Sequence, residues 1–325
     1  MPTVERPRIV VTRTVPEPAL ELLRKAGDVH VCEQDRPLET AELHEAVRGA
    51  HGVLALLHDR VDDEFVTAAG PQLRVVANVA VGYDNIDVPA VTARGVTVTN
   101  TPGVLVDATA DLTLGLLLMV TRRLGEGERL LRARQPWTFH LGFMLGTGLQ
   151  GKTLGIVGFG QIGRAVARRA RAFGMEIAYT GRRRADPDVE AELGARFLPR
   201  EELLRTADVV SLHCPLTEQT RHLIDERALD AMKPTAVLVN TSRGPVVDEA
   251  ALARALRQGR IAAAALDVFE REPEVEPGLL ELDNAVVVPH LGSATTETRT
   301  AMAELAARNV VAVLGGDDAL TPVRS

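Results

Sequence analysis

The stretch LGIVGFGQIGRAVARRARAFG, residues 154–174, places a β-branched strand, a glycine-rich loop and an amphipathic helix in direct succession. In this spacing Gly158 permits a tight turn, Gly160 lets the backbone approach a pyrophosphate, and Gly163 lets the helix pack closely on the strand. A pyrophosphate would rest on the free N–H groups and the positive dipole end of the helix. Because a strand precedes the loop and a helix follows it, the pattern predicts a dinucleotide-binding βαβ unit, with a plain strand–helix turn as the alternative.

The next strand of this unit ends in YTGRRRAD, residues 179–186, where a dinucleotide-binding fold usually carries an acid for the ribose hydroxyl of NAD. This chain has Arg182, Arg183 and Arg184 there instead. A carboxylate repels a 2′-phosphate, whereas the planar fork of an arginine binds it. We therefore expect one of the three arginines to hold the 2′-phosphate of NADP(H), with NAD(H) as the second cofactor. A solvated surface turn is the alternative, and the sequence leaves open which arginine acts.

The wider chain alternates strand and helix patterns in two series. Five strand-like runs occupy the first hundred residues, and six more follow from residue 152 onward. This rhythm predicts an α/β protein with doubly wound parallel sheets. Between the series we expect a long helix over about 104–124. The glycine- and aromatic-rich segment 132–150 fits no element, and its apolar residues are expected to pack against another subunit or to cover a site.

Composition excludes several classes of protein. The 325 residues, 46% hydrophobic and 25% charged, suit a soluble protein of two domains, and a net charge of −7 does not favour a nucleic-acid surface. Cys32 and Cys214 form neither a disulfide framework nor a zinc spacing, so no metal is expected. The apolar run 112–120 is too short to span a membrane, and residues 1–13 lack a secretion signal. We expect a cytoplasmic protein without membrane or nucleic-acid partners.

Three polar side chains follow predicted strands of the second series, namely Arg243, Glu272 and His290. Because the carboxyl ends of parallel strands face the ligand crevice, we expect them to converge beside the dinucleotide. Histidine is the natural proton donor for a ketone that receives a hydride, a carboxylate orients its ring, and an arginine grips a substrate carboxylate. Taken singly, each residue also fits a structural role in a loop.

Six motifs together resemble the D-isomer-specific 2-hydroxyacid dehydrogenase family over nearly the whole chain. They are NVAVGYDNID (78–87), GKTLGIVGFGQIGRAVARRARAFG (151–174), CPLTEQTRHLI (214–224), MKPTAVLVNTSRGPVVDEAALARAL (232–256), ALDVFEREP (265–273) and NAVVVPHLGSAT (284–295). Within the family, YTGRRR and the region of Trp137 are most similar to glyoxylate/hydroxypyruvate reductases, which favour NADPH. The resemblance implies NADPH-preferring reduction of small 2-oxo acids to D-2-hydroxy acids.

The resemblance also implies residue roles. Arg243 would bind the substrate carboxylate and carbonyl, His290 would donate the proton, and Glu272 would be its partner. Further substrate contacts are implied for Val81 and Gly82 through their N–H groups, for Trp137 from the neighbouring subunit of a homodimer, and for Ser293. The cofactor-lining residues would be Gly158, Gly160, Gln161, Ile162, Gly163, Arg182, Arg183, Arg184, Cys214, Pro215, Thr241, Ser242, Asp267, His290 and Gly292.

The family fold implies a Rossmann cofactor domain, residues 101–290, inserted into a flavodoxin-like substrate domain of residues 1–100 and 291–325. Hinges near 100–102 and 291–293 would let the cleft close and expel water.

Related activities stay open. D-lactate, phosphite or another D-2-hydroxyacid-type dehydrogenase is the alternative within the family. An ending at Ser325 disfavours forms with a regulatory C-terminal domain, and Glu272 disfavours formate dehydrogenases, which carry glutamine there. A dinucleotide-sensing, corepressor-like binding protein is the alternative from another class.

Overall fold

The structure is a computed structural model that describes residues 6–34 and 36–324. The sequence predicts no secretion signal in residues 1–13, and the first five of these lie outside the described residues. The chain forms two compact units. One comprises the chain up to Leu105 and from Thr295 onward, and the other comprises Val106–Ala294. The sequence analysis placed the corresponding boundaries after residues 100 and 290. The substrate and cofactor roles of the two units stay predictions at this stage.

The first unit contains a five-stranded parallel sheet in the order β2-β1-β3-β4-β5. Its strands are β1 (Arg8–Val11), β2 (Asp28–Val31), β3 (Gly52–Ala55), β4 (Val75–Asn78) and β5 (Thr97–Thr99). Its helices are α1 (Glu17–Ala26), α2 (Thr40–Ala46), α3 (Asp63–Ala69), α4 (Val88–Ala93) and, after the second unit, α13 (Thr296–Gly315). Strands β3 and β4 are buried at every position, as strands covered on both faces must be. Separate apolar cores lie on the two faces, around Val10 and around Ile9.

The second unit contains a seven-stranded parallel sheet in the order β12-β11-β10-β9-β6-β7-β8. Its strands are β6 (Thr153–Val157), β7 (Glu176–Thr180), β8 (Ala195–Phe197), β9 (Val209–Leu212), β10 (Val237–Asn240), β11 (Ala263–Leu266) and β12 (Ala285–Val287). Its helices are α5 (Val106–Thr121), α6 (Leu124–Arg132), α7 (Gln161–Ala172), α8 (Pro187–Leu193), α9 (Arg200–Thr206), α10 (Glu226–Ala231), α11 (Glu249–Arg257) and α12 (Pro277–Leu280). The predicted α/β class with doubly wound parallel sheets is confirmed.

Two details of the second unit differ from the prediction. The sheet has a seventh strand, β8, which the sequence analysis missed because it has only three residues and carries the exposed Arg196. The long helix predicted over 104–124 is two helices, since Arg123 adopts a left-handed backbone (φ 54°) between them. The carbonyl of Thr121 accepts the N–H of Thr147 at 2.8 Å, which ties segment 133–150 to the end of α5.

The order of strands in the second unit creates a switch point. From β6 the chain proceeds outward through β7 and β8, then returns to β9 on the other side of β6 and continues to β12. A crevice therefore opens at the carboxyl ends of β6 and β9, which is where doubly wound folds bind ligands. None of the helices in the described part of the chain has the length and apolar content of a bilayer-spanning segment.

Candidate functional site

The glycine loop joins β6 to α7 at the switch point. Gly158 has a positive φ of 97°, its N–H donates to the Thr180 carbonyl at 2.9 Å, and a Cβ on it would lie 2.6 Å from the carbonyl of His213. A Cβ on Gly163 would lie 2.3 Å from the Gly158 oxygen, whereas one on Gly160 would meet nothing within 4 Å. Gly158 and Gly163 therefore allow the turn to pack closely against neighbouring backbone, whereas Gly160 leaves open space at the start of α7. Gln161 and Ile162 follow Gly160 as the first residues of this helix.

The carboxyl end of β9 contributes His213, Cys214 and Pro215 to the same edge. The Nε2 atom of His213 lies 2.8 Å from the Ser211 hydroxyl, and its buried Nδ1 has no hydrogen-bond partner among residues 6–34 and 36–324. Burial lowers the pKa of His213 to about 3, so its ring is neutral, and burial raises the pKa of Cys214 to about 11, so its thiol keeps the proton. Sequence reasoning chose Cys214 and Pro215 but missed His213, although it directly precedes them in the same motif.

The three arginines after β7 fall into two groups. Arg184 forms a two-pronged ion pair with Glu190, with Nε–Oε1 at 3.0 Å and Nη2–Oε2 at 2.8 Å. The Tyr179 hydroxyl donates to the same carboxylate at 2.6 Å, and these two contacts lower the pKa of Glu190. Arg182 and Arg183 are exposed, and neither side chain has an ion pair or hydrogen bond within the described residues. Arg184 thus braces the loop, which leaves Arg182 and Arg183 available for an anion.

His290 and Glu272 form a pair beyond the carboxyl ends of β12 and β11. The Nδ1 atom of His290 lies 2.8 Å from Glu272 Oε2, and the Phe269 N–H donates to Glu272 Oε1 at 3.1 Å. Both side chains are largely shielded from solvent. The carboxylate therefore occupies one ring nitrogen and leaves Nε2 for another partner, an arrangement suited to proton donation.

Asp267, at the end of β11, holds the residues that follow His290. Its carboxylate accepts the N–H groups of Leu291 at 2.5 Å and Gly292 at 2.9 Å, and its carbonyl accepts the N–H of His290 at 2.8 Å. Burial raises the pKa of Asp267, although the Leu291 N–H and the positive charge of His290 oppose that rise. Ser293 follows directly, so Asp267 sets the path of this predicted hinge segment.

Arg243 lies just after β10 on a backbone that its neighbours hold. The side chain of Asn240 accepts the Ser242 N–H at 3.0 Å and donates to the Arg243 carbonyl at 2.9 Å. The Arg243 Nη1 donates to the Ser242 carbonyl at 2.9 Å, and the hydroxyl of Thr241 lies 2.9 Å from that of Thr113. Asn240 is a supporting residue that sequence reasoning missed, and its position directly before the Thr-Ser-Arg motif is the signal that could have found it.

The remaining predicted substrate residues lie elsewhere. Val81 and Gly82 belong to the first unit, in the turn after β4, where Asn100 donates to the Val81 carbonyl at 2.8 Å and Asn78 to the Gly82 carbonyl at 2.9 Å. These bonds fix the planar peptide groups of the turn and so the direction of the Gly82 N–H. Trp137 lies in segment 133–150, half exposed and stacked on Phe143 at 6.0 Å. No group of three or more His, Cys, Asp or Glu side chains suited to a metal ion occurs within the described residues.

Comparison with known proteins gives a consistent picture. Residues 114–292 match the family model for the D-isomer specific 2-hydroxyacid dehydrogenase NAD binding domain. The chain is 48% identical to a glyoxylate reductase of Thermococcus onnurineus and 49% identical to one of Aeropyrum pernix, in each case over 96% of this chain and 94% of the relative. Among solved structures it is similar to the NADPH-dependent glyoxylate/hydroxypyruvate reductase of Sinorhizobium meliloti in complex with NADP and malonate. That likeness has a TM-score of 0.87 and 37% identity and covers 98% of this chain and 97% of the other.

Proposed function

The chain belongs to the D-isomer specific 2-hydroxyacid dehydrogenase family and is an NAD(P)-dependent oxidoreductase, and from this premise we propose that it reduces glyoxylate and hydroxypyruvate with NADPH. The products would be the corresponding 2-hydroxy acids, of D configuration where the carbon is chiral. The observation that carries the proposal is the pair of His290 Nδ1 and Glu272 Oε2 at 2.8 Å, in the unit that also bears the glycine loop.

The residues of the second unit fit a dinucleotide. The open space above Gly160 lies at the start of α7, where free N–H groups and the helix dipole favour a pyrophosphate. When bound, the nicotinamide supplies the hydride. We assign the rest of the cofactor surface to Gly158, Gln161, Ile162, Gly163, Arg182, Arg183, Cys214, Pro215, Thr241, Ser242, Asp267, His290 and Gly292.

The chain's own residues perform the acid and anchoring steps. Glu272 holds Nδ1 of His290 and orients the ring, so that Nε2 delivers a proton to the carbonyl oxygen. Arg243 binds the substrate carboxylate and polarises the carbonyl, since its guanidinium presents a planar fork of donors. We further assign the N–H groups of Val81 and Gly82, together with Ser293 and Trp137, to substrate binding.

A steady-state panel tests this function. NADPH oxidation with glyoxylate or hydroxypyruvate should exceed that with pyruvate, and NADH should be the poorer cofactor. Faster turnover of D-lactate or phosphite would move the assignment to those dehydrogenases. Tight NADPH binding without turnover of any 2-oxo acid would favour a dinucleotide sensor.

Cofactor preference should depend on Arg182 and Arg183. In the double variant Arg182→Ala/Arg183→Ala, the Kd for NADPH should rise about tenfold to a hundredfold, because one charge-assisted hydrogen bond contributes about 1.5–3 kcal/mol. The Kd for NADH should change less than about threefold, since NADH has no 2′-phosphate. Fluorescence titration of both reduced cofactors measures these affinities.

A matched control is Arg196→Ala, which removes an exposed arginine of β8 in the same unit. It should leave both affinities unchanged. An unaltered ratio of NADPH to NADH affinity in the double variant contradicts the assignment.

We also propose that the enzyme is a homodimer formed through the apolar side chains of α6 and segment 133–150. Leu141 is 89% exposed and Phe139 77%, and Leu124, Leu131, Trp137 and Leu145 are more than half exposed. An apolar patch of this kind marks an interaction surface.

Introducing a charge should separate the dimer. Leu141→Glu should raise the dimer dissociation constant at least about tenfold, because it removes an apolar contact worth about 1.5–3 kcal/mol and buries a carboxylate. Sedimentation equilibrium measures the change. Leu320→Glu, at an exposed leucine of the first unit, is the control and should leave the mass unchanged. A wild-type monomer at micromolar concentration contradicts the proposal.

A further inference from the structure

Two loops of the second unit touch backbone to backbone. A Cβ on Gly244 would lie 1.8 Å from the carbonyl carbon of Phe269 and 2.4 Å from the nitrogen of Glu270. Gly244 directly follows Arg243, and Glu270 lies two residues before Glu272. The loop that carries the arginine therefore rests on the loop that carries the partner of His290.

The side chain of Glu270 forms hydrogen bonds with two other segments of the chain, at His222 and at Glu249. Its Oε1 lies 2.5 Å from Nε2 of His222, and its Oε2 accepts the N–H of Glu249 at 3.4 Å. In return, Oε1 of Glu249 accepts the N–H of Glu270 at 2.5 Å. Glu249 and Glu270 thus hold each other through one side-chain bond in each direction.

The segment around His222 is bonded to the residues that follow Arg243. The N–H of His222 donates to the Pro245 carbonyl at 2.8 Å, and that of Ile224 donates to the Val246 carbonyl at 3.0 Å. The contact between His222 and Glu270 therefore links the residues that follow Arg243 to the loop that carries Glu272.

Glu249 brings a buried carboxyl group into this set of contacts. Glu249 is only 4% exposed, and it lies at the first turn of α11, after the helix cap Asp248. Burial raises the pKa of Glu249, and the nearby carboxylates of Glu270 and Glu276 add to that rise, while the N–H groups of the same two residues oppose it. Removing a bonding partner of such a buried carboxyl group costs free energy of folding, since it leaves a polar group without a hydrogen bond.

We propose that Glu270, clamped between Glu249 and His222, is a positioning residue that sets the place of Glu272 relative to Arg243. The inference rests on the proposed function. Glu270 acts through the backbone. It directly follows Phe269, and the N–H of Phe269 donates to Glu272 Oε1 at 3.1 Å. A displacement near 1 Å at a reacting group lowers rates by as much as about a hundredfold.

Glu270→Ala and Glu270→Gln form the test. In Glu270→Ala, kcat/KM for glyoxylate should fall about tenfold to a hundredfold while the Kd for NADPH stays within about twofold. The glutamine keeps a carbonyl oxygen for the Glu249 N–H and an amide for the His222 ring, so Glu270→Gln should restore kcat/KM to within about threefold of wild type.

The pH profile separates positioning from mere folding. Glu272 is bonded to the His290 ring through Nδ1, and Asp267 interacts with His290 electrostatically. When Glu272 moves away, the His290 ring loses the carboxylate bonded to Nδ1, so the pH dependence of kcat/KM should change in Glu270→Ala and not in Glu270→Gln. A loss of stability alone would lower the active fraction of the enzyme without changing the shape of the pH profile.

His222→Ala is the second variant, since it removes the other partner of Glu270 at a partly exposed position. It should change the pH profile of kcat/KM in the same way as Glu270→Ala does. It provides the test of the positioning role if Glu270→Ala does not fold. The inference is overturned if either folded alanine variant keeps the wild-type profile and kcat/KM within twofold while His290→Gln is inactive. Full activity of His290→Gln would instead overturn the proposed function.

Discussion

Replacing His290 with glutamine is expected to lower kcat for glyoxylate reduction by about a hundredfold to ten-thousandfold, because the amide has no proton to release near neutral pH. The Kd for NADPH should stay within about twofold, since the glutamine can still bond to Glu272 and the glycine loop is untouched. In wild type, kcat/KM should fall as pH rises, because the proposed proton donor must carry its proton when the reaction starts. In His290→Gln that dependence should disappear.

Steady-state rates across the pH range and NADPH fluorescence titration measure both effects. His30→Gln, at an exposed histidine of β2 in the first unit, is the matched control and should behave as wild type. A His290→Gln enzyme that keeps full turnover and the wild-type pH dependence would show that another group donates the proton.

The second large effect is expected for Arg243→Ala, with kcat/KM for glyoxylate lowered about a hundredfold to a thousandfold. The guanidinium is proposed to bind the carboxylate in the ground state and the developing oxyanion charge in the transition state, so KM should rise and kcat should fall together. The variant should fold, because the Arg243 backbone is held through its carbonyl by Asn240. Separate determination of kcat and KM checks the result.

Arg243→Lys sharpens this prediction. Lysine keeps the charge but lacks the planar fork, so only part of the loss should be recovered. Arg257→Ala, which removes an exposed arginine of α11 that pairs with Glu281, is the control and should keep wild-type kinetics. A KM and kcat within threefold of wild type in Arg243→Ala would remove the arginine from the site.

The fold was predictable where its signals are local and strong. Buried strands such as β3 and β6 appear as short apolar runs between turn residues, and alternation with helices predicts parallel sheets. Strand β8 was not predictable, since three residues around Arg196 carry no clear periodicity and depend on pairing with β7. The break at Arg123 likewise depends on the contact of Thr147 with Thr121, which residue spacing does not reveal.

The sequence alone determined the α/β class, the glycine loop and the choice of Arg243, Glu272 and His290 as strand-end residues, because periodicity and turn chemistry act over a few neighbouring positions. Only the tertiary structure decided that Arg184 is bonded to Glu190, although they are just six positions apart. It alone joined His222 to Glu270 across 48 positions. Such partners depend on how side chains pack once the strands are ordered in the sheet, and local sequence patterns carry no record of that packing.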